Sequence, residues 1–138
     1  MIDFSKYFKP HYKYYLNKLN FDHANIPENI EGGQVTLSIS DQVKTDYIKG
    51  VGINIEFSRE LKHSEDAPPM IEVSLCASLL FNDDVEQDVD WANIPLAQET
   101  VDSDNVFLDN LVTRASLLIS EVTASYGQMP LVTPPKVK

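Results

Sequence analysis

The chain has 138 residues with 21 acidic and 11 basic side chains, which gives a formal net charge of −10. This charge excludes a typical nucleic-acid or anionic-membrane binder, because phosphate groups would be repelled. The length and the 43% hydrophobic content fit one folded domain, residues 1–138, without disulfides or metal. Cys76 is the single cysteine, and no export signal or membrane span is visible, so we expect a cytoplasmic protein.

The first 22 residues predict a packing arm followed by a strand. Residues 1–10 combine apolar side chains in a short amphipathic turn that Pro10 ends. Residues 11–22 are aromatic-rich and predict a strand that is either bulged or apolar on both faces. The apolar residues of one parity are Tyr15, Leu19 and Phe21, and those of the other parity are Tyr12, Tyr14 and Leu16. A strand apolar on both faces is central or carries an exposed stripe that meets a partner.

Alternation of apolar and polar residues predicts three further strands. They are residues 34–40, 47–61 and 70–82, joined by a turn at 41–46 and a charged loop at 62–69. Gly50 and Gly52 weaken the third strand and indicate a bulge. The loops are too short for crossover helices, so the sheet of residues 11–82 is expected to be antiparallel, as a meander or a Greek-key variant.

The last part of the chain predicts a long helix. Residues 83–102 form an acidic crossover segment, with a short helix or loop that crosses the sheet edge. In residues 103–127, apolar side chains recur at steps of three and four, with Ser103 as the cap and Gly127 as the stop. Residues 128–138 hold three prolines and predict an extended tail packed on the body. The expected class is α+β, a four-stranded antiparallel sheet packed against a C-terminal helix.

No pattern in the sequence indicates catalysis, a cofactor or a metal site. Four carboxylates alternate in the crossover segment, as in a calcium loop, but the required Gly and Glu are replaced by Val89 and Pro95. The alternating residues are Asp84, Glu86, Asp88 and Asp90. The three histidines lie at unrelated spacings, and Cys76 has no context that would activate its thiol. We therefore expect a protein that is not an enzyme.

Two stretches of the chain match a known family by their spacing. Residues 15–22 read YLNKLNFD and are followed by Ala24 and Asn25. Residues 105–137 hold the long helix and end in a pattern of Ser125, Gly127, Pro130, Leu131, Pro134 and Pro135. Together these stretches resemble the SecB family of export chaperones, over roughly residues 12–137, although the middle matches by pattern more than by identity.

The resemblance implies a homo-oligomer, arranged as a dimer of dimers, that holds unfolded or precursor polypeptides in apolar grooves without ATP. We place the groove at Val35, Leu37, Ile39, Leu79 and Leu117. We place the oligomer interface at Tyr14, Val112 and Leu117. The alternative for the groove side chains is that they are ordinary core residues.

The same resemblance implies contact with the translocation motor ATPase through the first and fourth strands. Asp22, Met70 and Glu72 occupy the matching positions, whereas Lys18 stands where well-known members carry an acidic residue. Two hypotheses follow. The first is a holdase for unfolded chains, with a role in protein export. The second is a dedicated interaction protein that binds one partner, such as an antitoxin.

Overall fold

The computed structural model describes residues 2–22, 37–103, 105–124 and 131–137. Within these ranges the chain forms one sheet, three α-helices and a short 3-10 turn at Glu86–Asp88. In chain order the elements are α1 (Phe4–Tyr7), β1 (Lys13–Phe21), β2 (Ser38–Ile48), β3 (Gly52–Lys62), β4 (Ile71–Leu80), α2 (Leu96–Asp102) and α3 (Val106–Ala124). The predicted α+β class, with an antiparallel sheet and a C-terminal helix, is confirmed.

The four strands form one antiparallel sheet in the order β1-β4-β3-β2. β2, β3 and β4 follow one another as neighbours, whereas β1 lies beside β4. This is the Greek-key alternative of the two predicted topologies. β1 and β2 are therefore the outer strands, and within the described residues one edge of each has no ladder partner.

The turn between β2 and β3 lies at residues 49–51, and the prediction of a turn at residues 41–46 is wrong. Gly50 has a φ of +78°, in the left-handed region that favours glycine. Residues 41–46 belong to β2, where half-buried and exposed positions continue to alternate. Asp41 does not end the strand, because Arg59 of β3 pairs with its carboxylate on the inner face.

Gly52 begins β3 at a close approach of two backbones. A Cβ atom at this position would lie 1.7 Å from the carbonyl oxygen of Leu79 in β4. Any larger residue would therefore push β3 away from β4, so Gly52 fits a tight contact within the sheet and is no sign of a bulge.

β1 contains the predicted bulge, at Asn17, where its register against β4 shifts by one residue. Directly opposite residues of an antiparallel pair lie on the same face of a sheet. The even-numbered apolar residues before the bulge and the odd-numbered ones after it therefore all face α3. They are Tyr12, Tyr14, Leu16, Leu19 and Phe21. The two apolar parities of the sequence are thus one face of a bulged strand.

The core lies between α3 and the inner face of β3 and β4. The sheet contributes Ile53, Ile55, Phe57, Leu61, Ile71, Val73, Leu75, Ala77 and Leu79, and α3 contributes Phe107, Leu108, Leu111, Val112, Ala115 and Ile119. The N-terminal arm closes one end, where Phe8 stacks on Phe81 with ring centroids 5.1 Å apart. The contacts of α3 with β3 and β4 thus fix its position across the sheet.

α3 begins later than the sequence predicts. Ser103 ends α2, and its main-chain N–H donates to the carbonyl oxygen of Glu99. The Asn105 side chain supplies the cap, because its Oδ1 accepts from the main-chain N–H of Phe107 at 3.0 Å. The prediction that Ser103 caps the long helix is therefore wrong, and the predicted stop at Gly127 lies outside the described residues.

Candidate functional site

α3 lies across β3 and β4, so its two long flanks face the outer strands. The flank that carries Arg114 and Leu117 faces β1, and we call it the β1 flank. The flank that carries Ser116 and Thr123 faces the C-terminal tail, residues 131–137, and we call it the β2 flank. The two flanks differ in chemistry and in what covers them.

The β1 flank holds an open groove between α3 and the outer strand, with a volume of about 390 Å³. We call it the strand–helix groove. Its lining residues are Tyr14, Tyr15, Leu16, Leu75, Arg114, Leu117, Leu118 and Glu121. The lining is mainly apolar or aromatic, with one basic and one acidic side chain on the helix side.

Large apolar side chains are exposed along this groove. Tyr14 is 43% exposed, Leu16 46% and Leu117 58%. They lie beside the edge of β1 that has no ladder partner within the described residues. An outer strand next to an apolar groove is the arrangement that accepts an added extended segment, since the strand supplies main-chain hydrogen bonds and the groove takes side chains.

Polar and aromatic contacts attach the start of β1 to the first half of α3. The Asn110 side-chain amide donates to the phenol oxygen of Tyr12 at 2.7 Å, and the Tyr12 ring meets Phe107 edge-on. The Arg114 guanidinium lies over the Tyr14 ring, 4.1 Å from its centroid, which is a cation–π contact. Among the described residues, the buried Nε of Arg114 has no hydrogen-bond partner.

Tyr15 and Cys76 interact on the outer face of the sheet. They are opposite in the β1–β4 register, and a hydrogen bond with Cys76 raises the pKa of the Tyr15 phenol. Burial raises the pKa of the Cys76 thiol, which is therefore protonated and a poor nucleophile at neutral pH. The pair joins two strands and has no features of a reactive thiol site.

The residues predicted to contact the translocation motor are only partly at the surface. Lys18 forms an ion pair with Glu72, and their hydrogen bond raises the pKa of the lysine. Asp22 is exposed, and its main-chain N–H donates to the carbonyl oxygen of Met70. The Met70 side chain is 4% exposed and belongs to the core, so we correct its predicted role from partner contact to packing.

The predicted groove residues do not come together. Leu37 and Ile39 are half-buried at β2, whereas Leu117 lies on the opposite flank of α3. Leu79 is 1% exposed because it faces the core from the inner side of β4, and its predicted role in a groove is corrected to packing. Val35 lies outside the described residues.

The predicted oligomer residues are brought together in part. Tyr14 and Leu117 line the same groove, from the strand and the helix respectively. Val112 is 1% exposed, because it lies on the side of α3 that packs on the sheet, so its predicted interface role is corrected to packing.

The β2 flank is closed by the tail and by a buried ion pair. Arg59 donates through Nε and Nη2 to the two carboxylate oxygens of Asp41, each at 2.8 Å, and both side chains are fully buried. Arg59 also donates to the carbonyl oxygens of Pro134 at 2.7 Å and Lys136 at 2.9 Å. Its Nη1 further contacts the hydroxyls of Ser116 and Thr133. The guanidinium thus ties two strands, the helix and the tail.

Sequence reasoning missed Arg59 and Asp41, although a signal was present. Arg59 stands at an inner position of β3, among positions otherwise filled by Ile55, Phe57 and Leu61. Asp41 stands at an inner position of the facing strand, directly opposite Arg59. Opposite charges at apolar-parity positions of neighbouring strands indicate a buried pair.

The acidic crossover segment is attached to the β2–β3 turn by Glu86. Its carboxylate accepts from the Tyr47 phenol at 2.6 Å and from the Gly50 main-chain N–H at 2.8 Å. These hydrogen bonds lower the pKa of Glu86 below its ordinary value and raise that of Tyr47. Across the described ranges, no three His, Cys, Asp or Glu side chains are arranged to hold a metal ion.

No family model matches the chain, and searches of curated proteins and of solved structures return no significant match. The resemblance to the SecB family therefore stays a prediction. Of the helices that the described residues form, none is both long and apolar enough to cross a bilayer.

Proposed function

We propose that the protein is an ATP-independent, cytoplasmic holdase, without enzymatic activity, that binds extended segments of unfolded or precursor polypeptides in the strand–helix groove. The observation that carries the proposal is the exposed apolar row of Tyr14, Leu16 and Leu117 beside the free edge of β1, as far as the described residues show. Main-chain pairing with β1 would supply affinity with little sequence demand, and the groove would select apolar side chains.

Charge supports this class of ligand. The net charge of −10 attracts segments flanked by Lys or Arg, and it keeps the protein soluble despite the exposed apolar groove. Glu121 and Arg114 place a negative and a positive charge in the groove, so it can accept polar groups near an apolar segment. A holdase in protein export would need these properties.

Self-association is a second use of the same surface, and we include it in the proposal. Tyr14 and Leu117, both predicted at the oligomer interface, line the groove together. Two β1 edges can pair across a two-fold axis, since an isologous contact places the same surface on both copies. The dimer of dimers would then require a further contact between two such pairs.

The alternative is a dedicated binder of one folded partner, such as an antitoxin. The Lys18–Glu72 ion pair favours it, because the pairing neutralises an acidic side chain that the motor ATPase would be expected to meet. A pull-down from native cytoplasm separates the two: many unfolded clients support the holdase, and one stoichiometric partner supports the dedicated binder.

The decisive test replaces Leu16 and Leu117 by Asp and measures suppression of aggregation of a chemically denatured client. A charge in the groove must be desolvated on binding, so we expect client affinity to fall at least about tenfold. Val106→Asp is the matched control, because Val106 is 63% exposed on α3 and does not line the groove. Full suppression by the double variant, with an unchanged circular dichroism spectrum, would contradict the proposal.

A further inference from the structure

The β2 flank already holds an extended peptide, which is the tail of the chain itself. The tail runs beside α3 from Leu131, whose N–H donates to Thr123 Oγ1 at 2.8 Å, to Lys136, whose carbonyl oxygen accepts from Arg59. Residues 131–137 form no helix or strand. The tail is therefore held as a bound peptide would be, by contacts with side chains of the body.

These contacts are made mostly by main-chain atoms of the tail. Arg59 donates to the carbonyl oxygens of Pro134 and Lys136, and Ser116 Oγ also donates to the carbonyl oxygen of Pro134, at 3.2 Å. One tail side chain takes part as well: Thr133 Oγ1 lies 3.0 Å from Arg59 Nη1 and 3.1 Å from Ser116 Oγ. The site therefore recognises an extended backbone with one hydroxyl.

The hydrogen bonds also explain why prolines are accepted. A proline has no main-chain N–H but keeps its carbonyl oxygen. Within the described contacts, Leu131 is the one tail residue whose N–H is used, and it comes before Pro134 and Pro135. Prolines hold a segment extended before it binds, so less conformational entropy is lost on binding.

The tail packs apolar side chains on the core only near its two ends, at Leu131 and Val137, which are half-buried. Val132 is 88% exposed, and Pro134, Pro135 and Lys136 are exposed as well. Thr133 is the one fully buried side chain of the described tail. Its middle part, residues 132–136, is therefore attached mainly by hydrogen bonds, which water or another extended chain can replace.

The site side chains also have partners that do not belong to the tail. Arg59 retains both oxygens of Asp41 and the hydroxyl of Ser116. Thr123 retains its hydrogen bond to the carbonyl oxygen of Ile119. Because the ion pair with Asp41 orients the guanidinium independently of the tail, we expect the site to keep its row of donors and acceptors when the tail leaves.

We propose that the channel between β2, β3 and α3 is a binding site for extended polypeptide segments that contain Thr-Pro or Ser-Pro, with residues 131–137 as its resident ligand. A segment from another protein with this pattern displaces the tail. The site lies on the flank of α3 opposite the strand–helix groove. It differs in chemistry because the Arg59 guanidinium donates to main-chain carbonyl oxygens, whereas the strand–helix groove is lined mainly by apolar and aromatic side chains. It does not depend on the holdase proposal.

The test uses the full chain with a protease recognition sequence inserted after Gly127 and cut after folding. A fluorescent peptide of residues 129–138 is added, and its anisotropy reports exchange with the cut tail. We expect saturable binding. A peptide with Thr133→Val loses two hydrogen bonds and should bind about tenfold more weakly, whereas one with Val132→Ala should bind equally.

Variants of the body locate the bound peptide. Ser116→Ala should weaken binding several-fold, because Ser116 contacts both Thr133 and Pro134. Thr113→Ala is the matched control, since Thr113 is exposed one turn earlier on α3. A decapeptide that keeps Thr-Pro-Pro among alanines should compete with the labelled peptide, and a scrambled one should not.

Three results would overturn the proposal. The first is a cut tail that cannot be exchanged. The second is loss of the far-UV circular dichroism signal when the tail leaves, which would make the tail an integral part of the fold. The third is equal binding of the wild-type and Thr133→Val peptides. Suppression of client aggregation is measured in parallel, so that failure of this site is separated from failure of the holdase proposal.

Discussion

The two flanks of α3 differ in what covers them. On each side a groove lies between the helix and an outer strand. On the β2 flank the tail of the chain fills this groove and is held by Arg59, which forms a buried ion pair with Asp41. On the β1 flank the groove is open and is lined by exposed Tyr14 and Leu117. The β2 flank, occupied by the chain's own tail, is therefore expected to contribute to stability, whereas the β1 flank is open to a partner and is expected to contribute little.

The largest effect is expected from Asp41→Asn on the β2 flank. It leaves the Arg59 charge buried without a carboxylate, so the free energy of unfolding should fall by about 3–5 kcal/mol in urea denaturation. Asp46→Asn is the control, because Asp46 is an exposed residue of the same strand. The double change Asp41→Leu with Arg59→Met removes the unpaired charge but also the contacts of Arg59 with the tail, so it should recover only part of the loss. A double variant less stable than Asp41→Asn would show that the unpaired charge does not cause the loss.

A smaller effect is expected from Thr133→Val in the tail. The change keeps the shape of the side chain but removes its contacts with Arg59 and Ser116. The free energy of unfolding should fall by about 1–2 kcal/mol. Protection of the Leu131 amide from hydrogen exchange should fall with it. An unchanged Leu131 amide would show that the tail is held by other contacts.

Acidification should loosen the tip of the β2–β3 hairpin. The pKa of Glu86 is lowered in the fold, so its contribution to stability is complete above the unfolded value of about 4.3 and is lost as the pH falls through the lower, folded value. An NMR titration of the Gly50 amide should show a midpoint below the ordinary glutamate value. The step should be absent in Glu86→Gln, and a midpoint at or above the ordinary value would contradict the expectation.

The smallest effect on stability is expected on the β1 flank. Leu117→Ser should change the free energy of unfolding by no more than about 0.5 kcal/mol, because the side chain is 58% exposed. Leu111→Ala on the same helix is the contrast, since Leu111 is fully buried and should lose about 2–5 kcal/mol. A large fall in the free energy of unfolding for Leu117→Ser would contradict the expectation that the β1 flank contributes little to stability.

The strand and helix patterns predicted the fold because apolar periodicity reports burial directly. The alternation in β4 and the three-and-four spacing in α3 both lead to the observed core. The errors came from polar residues whose partners are distant in sequence. Asp41 suggested a turn because its partner, Arg59, was not recognised, and Ser103 suggested a cap because Asn105 was overlooked.

The candidate sites were less predictable, for a related reason. Leu79 and Val112 stand at apolar positions of their strand and helix patterns, and their groove and interface roles were assigned with the family resemblance. The packing of α3 on the sheet encloses both side chains. Tyr14 and Leu117 are 103 positions apart by their numbers and meet only through the fold. The sequence predicted an extended tail packed on the body but not its partners, because most of these contacts join main-chain atoms of the tail to side chains such as Arg59, and main-chain acceptors are present in every sequence.

The irregularity at Asn17 has a consequence for how this protein can change. The extra residue of the bulge reverses the alternation of side chains, so even-numbered residues before it and odd-numbered residues after it lie on the same face. Deletion of Asn17 would restore regular alternation, and the apolar side chains of either residues 12–16 or residues 19–21 would then face the other side of the sheet. Deletion of one residue would thus change which apolar side chains β1 presents beside α3.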